Sequence, residues 1–131
     1  MNIYAIESEN DVIGARHFIR DLVKEKGFGL IDQTRLTTIT SELVRNIVLY
    51  AGKGQVLAYD VMNGSTNGIK IEFKDSGPGI QDIEQAMQDG YTTKGGLGAG
   101  LPGSKRLSDE FYIESESGKG TKITVIKWLK A

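Results

Sequence analysis

The sequence predicts an α+β fold, a two-layer sandwich in which a mixed, antiparallel-rich sheet carries helices on one face. Three observations predict it. The stretch IKIEFKD at 69–75 alternates without fault, with Ile69, Ile71 and Phe73 on one side and Lys70, Glu72 and Lys74 on the other. Two long segments repeat apolar residues at three-and-four spacing, the mark of core-facing helices. The elements then follow the order β-α-α-β-β-α-α-β-β, in which strands come in neighbouring pairs.

Residues 2–7 (NIYAIE) read as a short strand. Ser8 is placed to N-cap the first helix, with Asp11 completing a weak capping box. Val12, Ala15, Ile19 and Leu22 form its stripe, Phe18 and Val23 widen it, and Gly27 and Gly29 end it. The second helix is expected from Asp32 to Ala51, with Leu36, Ile39, Leu43, Ile47 and Tyr50 facing the core and AGKG as the stop. Strands over Val56–Met62 and Ile69–Asp75 are joined by NGSTNG, a hairpin signal. A short acidic helix is expected over Ile80–Met87. Pro102 suits the first position of a further helix ending near Ser108. Two last strands, Phe111–Glu116 and Lys122–Leu129, flank the turn SGKG. With neither repeat nor linker, residues 1–131 are expected to form a single domain.

Composition narrows the function classes. The formal net charge is -1, so no field draws the chain to nucleic acid or an anionic membrane. There are no cysteines, which removes disulfides and thiolate metal sites. The opening MNIYAIESEND carries acids where a signal peptide would be apolar, and no run is long enough to span a bilayer. A cytoplasmic protein is expected.

The chemistry concentrates in glycine-rich stretches. GAGLPG (98–103) matches the dinucleotide fingerprint literally, but that fingerprint follows a buried strand in a βαβ unit. Here the preceding IEQAMQDGYTTKGGL is polar and turn-rich, and only two strands remain downstream. A phosphate loop of the Walker type lacks both the strand and the Gly-Lys-Ser/Thr order. A plain surface loop is the remaining alternative.

Four constellations bear on that choice. Glu42 and Asn46, four apart on the second helix, share the shoulder of its apolar stripe, at a wall between core and pocket. Asn46 offers a neutral oxygen suited to a magnesium ion that keeps its water and bridges phosphates. Glu42 offers a carboxylate able to take a proton from an attacking hydroxyl or water. Alone, the pair fits an ordinary helix surface better. Asp75, opening DSGPG, falls by strand parity on the apolar side, where a carboxylate requires a donor. An adenine amino group would serve, and Gly77 and Gly79 would let backbone approach the base; D-S-G-P is also good turn chemistry. Glycines 95, 96, 98 and 100 free a nest of N–H groups ahead of the helix beginning near Pro102, an anion-binding arrangement. Gly118, Gly120 and Thr121 open the last strand, where Thr121 can reach a nucleotide or simply begin the strand.

In order and spacing, these motifs resemble the GHKL (Bergerat-fold) ATP-binding family of gyrase-type ATPases, chaperone ATPases, histidine kinases and MutL. The matching boxes are Glu42-x-x-x-Asn46, Asp75-x-Gly77-x-Gly79, Gly96-x-Gly98-x-Gly100 and Gly120-Thr121. RNIVLYAGKGQV and GLGAGLPGSKRLSDEF bring the whole chain close to the small anti-sigma-factor and switch serine kinases, which include kinases of the stressosome. The resemblance implies ATP and Mg2+ as cofactors. It also implies phosphorylation of a serine or threonine on STAS-domain partner proteins, and activation of a PP2C-type phosphatase on release. By position Glu42 would be the catalytic base and Asn46 the magnesium ligand. Asp75 would contact adenine, with Gly77, Gly79 and Thr121 beside it, and Gly96, Leu97, Gly98, Ala99, Gly100 and Leu101 would close on the phosphates. Ala99 departs from the bulkier apolar residue expected there. The alternative within the family is an anti-sigma factor that binds nucleotide and works by sequestration. A sensor histidine kinase fits less well, because the single histidine, His17, lies on the first helix with no dimerisation domain around it.

Overall fold

Pairing register turns the alternation of single strands into rows that cross the whole sheet. The computed structural model describes residues 1–80, 87 and 100–130. Its elements are β1 (Asn2–Ile6), α1 (Asp11–Glu25), α2 (Leu30–Tyr50), β2 (Gly54–Asn63), β3 (Thr66–Asp75), α3 (Gly100–Leu107), β4 (Glu110–Glu116) and β5 (Gly120–Trp128). The five strands lie in the order β1-β2-β3-β5-β4. Tyr4, Val56, Phe73, Ile123 and Ile113 are successive cross-strand partners, and Asn2, Ala58, Ile71, Val125 and Phe111 form the next row. Since partners directly opposite share a face, these rows make one apolar surface, and the helices cover it.

Every described pairing is antiparallel, so the expected mixed sheet is antiparallel throughout. The cause is topological: neighbouring strands are joined either by hairpins or across a long intervening segment that returns the chain antiparallel.

α1 and α2 pack on each other and on the sheet. Val12, Ala15, Ile19 and Val23 of α1 and Leu36, Ile39, Leu43, Val44 and Ile47 of α2 are buried in one core with Ile71, Phe73 and Val125. Each such side chain contributes roughly 1.5–3 kcal/mol through removal from water. Tyr50, expected in the α2 stripe, is exposed, because the helix runs past the sheet there and the chain turns away at Gly52.

The α1 boundaries show how local chemistry sets helix ends. Asn10, not Ser8, is the N-cap residue. Asp11 Oδ2 instead accepts the N–H groups of Glu7 and Ser8 at 2.7 and 3.0 Å, so only the carboxylate half of the expected box forms. At the other end Gly27 N–H donates to Lys24 O and Phe28 N–H to Val23 O, the paired bonds of a Schellman motif. Phe28 follows into the core, 3% exposed.

α2 begins at Leu30, two residues before the expected Asp32, and α3 begins at Gly100, so Pro102 sits third in α3 instead of first. Proline is tolerated there because the first-turn N–H groups have no intrahelical acceptor. The strands extend one to three residues beyond several expected limits. The expected acidic helix at Ile80–Met87 lies, except for its two end residues, outside the described residues; Ile80 and Met87 themselves are not helical.

Candidate functional site

One further row follows the two apolar ones on the helix side of the sheet, and its character changes. Ile6, Gly54, Asp75, Thr121 and Ser115 are successive partners from β1 to β4. Three polar side chains therefore stand side by side where the apolar floor ends. Asp75 Oδ1 accepts the N–H of Gly77 at 2.9 Å, closing an Asx turn over DSGPG. Thr121 Oγ1 lies 2.8 Å from Ser115 Oγ. Ser115 Oγ also accepts the N–H of Ile80 at 2.7 Å and donates to Gly120 O at 3.0 Å. Gly118 N–H donates to Pro78 O at 2.7 Å. The turn after β3 and the turn between β4 and β5 are thus tied into one unit.

Close approach makes glycine necessary in this unit. Gly120 has φ 101°, and a Cβ there would lie 2.2 Å from the backbone oxygen of Asp75. Gly79 has φ 80°, and its Cβ would lie 2.3 Å from Glu116 O. Neither conformation nor space admits a side chain without moving backbone. A Cβ on Gly77 would meet the Ala51 side chain at 2.5 Å, so the DSGPG turn lies directly against the end of α2.

α2 supplies the opposite wall. Asn46 lies about one and a half turns before Ala51, and Glu42 one turn before Asn46. Both are half-buried, as their place on the shoulder of the stripe requires. Glu42, with 23% of its side chain exposed, pairs with Arg45 at 3.8 Å. Asn46 falls about four turns beyond Asp32, on the same flank of the helix. That flank meets α3: Lys127 Nζ lies 3.7 Å from Asp32 Oδ1, 3.4 Å from Leu107 O at the α3 C-terminus and 3.4 Å from Asp109 Oδ1. Leu101 packs against the core and Pro102 is buried, which fixes the start of α3 beside α2.

The structure therefore brings Asp75, Gly77, Gly79 and Thr121 into one connected unit against the end of the helix that carries Glu42 and Asn46, and α3, with Gly100 and Leu101, packs on that helix. Gly96, Leu97, Gly98 and Ala99 lie outside the described residues. Two residues escaped the sequence reading. Ser115 joins both turns, and its signal was the inward parity of Phe111, Ile113 and Ser115. Lys127 is nearly fully buried, and it too stands at an inward position, after Ile123 and Val125.

On the open face of the sheet, hydrogen bonding to Glu114, with further attraction from Glu114 and Glu72, holds the Lys122 ammonium above its ordinary range. The bond to Glu72 raises the Tyr59 phenol, and the bond to Glu110 raises Tyr112. At the far end of the sheet Lys26 bonds Asp60 and lowers its carboxyl. A groove of about 370 Å³ there, lined by Met1, Leu22, Lys26, Tyr59, Asp60 and Ile69 among others, holds none of the motif residues. Among the described residues no three or more acidic, histidine or cysteine side chains cluster as metal ligands, and no helix is long and apolar enough to cross a membrane.

What this arrangement can do is bind a flat ring at the end of an apolar floor. The Asp75 carboxylate and the Thr121 hydroxyl lie at its rim, and a carboxylate and an amide lie on the adjoining helix. The architecture is that of a nucleotide-binding α/β sandwich, and it matches the catalytic domain of the histidine kinase ThkA across 100% of both chains, at TM-score 0.57 and 15% identity. Residues 31–131 match the family described as histidine kinase-, DNA gyrase B-, and HSP90-like ATPase, and the chain belongs to that family. Among individual proteins it is 54% identical to the serine/threonine-protein kinase RsbT of Bacillus subtilis, over 95% of this chain and 94% of that one. It is 32% identical to an anti-sigma F factor of Clostridium acetobutylicum, over 95% and 89% of the two chains.

Proposed function

We propose that this chain is an ATP-dependent serine/threonine protein kinase, a single cytoplasmic domain that phosphorylates STAS-domain partners and, once released from them, activates a PP2C-type phosphatase. The observation that carries the nucleotide part is the cross-strand pairing of Asp75 with Thr121, held against the end of the helix that bears Glu42 and Asn46. The similarity to RsbT supports the choice of a protein hydroxyl as acceptor.

In this reading Asp75 accepts the amino group of adenine, and Gly77 and Gly79 allow the base to lie against backbone. Glycines 96, 98 and 100, with Leu97, Ala99 and Leu101 between and after them, close on the phosphates. Asn46 fits a magnesium ion held by one neutral protein oxygen together with water and phosphate, since the described residues offer no acidic cage. Such an ion would supply charge neutralisation on the phosphates. Glu42 orients the acceptor hydroxyl and takes its proton as the oxygen bonds to the γ-phosphorus and the bond to ADP breaks. Arg45 lies 3.8 Å from the Glu42 carboxylate, which stays partly exposed.

The test is transfer of the γ-phosphate of Mg-ATP to a cognate STAS-domain protein. Glu42→Ala is expected to bind Mg-ATP like wild type and to transfer at least about a hundredfold more slowly. Equal transfer rates would remove Glu42 from the role of base. The anti-sigma F relatives favour one second reading, in which the chain acts by sequestering a sigma factor. Co-purification of a sigma factor, with no phosphate transfer to any STAS protein, would select it.

A further inference from the structure

Ser115 has a hydroxyl with one proton and two lone pairs, and it has three neighbours. The N–H of Ile80, at 2.7 Å, can only donate to it. The carbonyl of Gly120, at 3.0 Å, can only accept from it. The third neighbour is Thr121 Oγ1 at 2.8 Å, where either oxygen is able to be the donor. All three bonds are satisfied together in one way: Ser115 gives its proton to Gly120 O, and Thr121 gives its own proton to Ser115.

That assignment reaches beyond Ser115. With its proton engaged, Thr121 presents only lone pairs to the space beside it. Its cross-strand neighbour on the same face is Asp75, whose carboxylate also only accepts, and whose Oδ1 is already engaged by Gly77. Two adjacent acceptors at the end of an apolar floor, facing the exocyclic group of a ring edge, favour an amino group there and repel a carbonyl. We infer that Ser115 is a specificity-determining positioning residue: by taking the proton of Thr121 it makes the base site accept a 6-aminopurine and reject a 6-oxopurine. The inference rests on the nucleotide reading of Asp75 given above.

The same three bonds give Ser115 a structural role, since it staples Ile80 to the β4–β5 turn, so the test separates polarity from scaffolding. Mg-ATP and Mg-ITP differ at C6, an amino group against a carbonyl, and at N1, which carries a proton only in the latter; they share ribose and phosphates. Wild type is expected to favour ATP. Ser115→Ala releases the Thr121 proton, which is then free to meet the carbonyl, and the ATP-to-ITP affinity ratio, measured by calorimetric titration, is expected to fall about tenfold. Ser115→Thr, which keeps the hydroxyl, is expected to keep the ratio. In a Thr121→Val background Ser115→Ala is expected to leave the ratio where Thr121→Val alone puts it. An unchanged ratio in Ser115→Ala overturns the inference, as does loss of both affinities by the same factor, which would mark Ser115 as scaffolding alone. If wild type binds neither nucleotide, or both equally, the base-site reading of Asp75 fails and this inference fails with it.

Discussion

Replacing Lys127 by methionine isolates one buried charge while keeping most of its bulk. The Lys127 side chain is 4% exposed and faces Asp109 Oδ1 at 3.4 Å, Asp32 Oδ1 at 3.7 Å and Leu107 O at 3.4 Å. Removing one partner from a fully buried ion pair costs about 3–5 kcal/mol, because the other charge is left without compensation. Here both carboxylates retain something. Asp109, 25% exposed, still accepts the Trp128 N–H through Oδ2 at 2.8 Å, and Asp32, 18% exposed, still meets Arg35 at 3.3 Å. Methionine also keeps the apolar stem packed and ends the burial of an ammonium group. These offsets bring the expected loss to about 2 kcal/mol, with a fall in Tm of about 6–8 °C for a domain of this size. Urea unfolding should show a lower midpoint at unchanged slope. The local signature is faster amide exchange over Gly100–Leu107, since Lys127 is one of the ties between the end of α3 and the body of the fold. Adding Asp109→Asn should restore part of the loss by removing the stranded charge. A Lys127→Met protein as stable as wild type, or more so, would refute this account, because the cluster would then be balanced by packing and not by pairing.

Two further outcomes follow from the same geometry. Gly120→Ala is expected to lose at least about 3 kcal/mol and to weaken Mg-ATP binding more than Gly118→Ala does; both have positive φ, but only Gly120 faces a backbone oxygen, at 2.2 Å, while nothing lies within 4 Å of a Cβ at Gly118. Equal effects of the two, in thermal melts and nucleotide titrations, would count against close approach as the cause. Asp60 titrates below its usual value in the folded protein because Lys26 bonds it, so its contribution is present above the ordinary carboxylate range and is lost as pH falls through the lowered value. Melts of wild type and Asp60→Asn should therefore differ at neutral pH and converge in acid, and a difference that grew in acid would contradict the sign.

How much of this was legible beforehand depended on whether the deciding contact was local. The IKIEFKD alternation reported its own buried face, and the core stripes of α1 and α2 were readable because helical spacing fixes which side chains share a side. Tyr50 falls in the stripe by spacing yet is exposed, because periodicity does not say where the sheet beneath the helix stops. The start of α3 was placed two residues late for a related reason: Pro102 satisfies the dihedral requirement anywhere in the first turn, so it marks a region and not a position. Among the site residues, Asp75 and Thr121 could be given a face from parity. That they stand opposite each other follows from the register of β3 with β5, two strands separated by the whole α3 segment. Ser115 had only its inward parity as a local mark, since its three partners come from the turn after β3 and from β5.

The register also explains why one face can be core and site at once. Along the helix side of the sheet the middle rows are apolar, whereas the two end rows carry the chemistry: Asp75, Thr121 and Ser115 at one end, Asp60 and Lys127 at the other. In a strand, neighbours on one face are two residues apart, so slipping β5 by one residue against β3 would turn Ile123, Val125 and Lys127 to the open side together with Thr121. Burial of the middle rows therefore holds the polar rows in place, and the glycines at 79 and 120 add to it, because each allows a backbone approach that only this register produces. The site inherits its precision from the core. On that view, core substitutions such as Phe73→Ala should disturb Thr121 and Asp75 together, whereas changes on the open face at Lys122 or Glu114 should leave them in register.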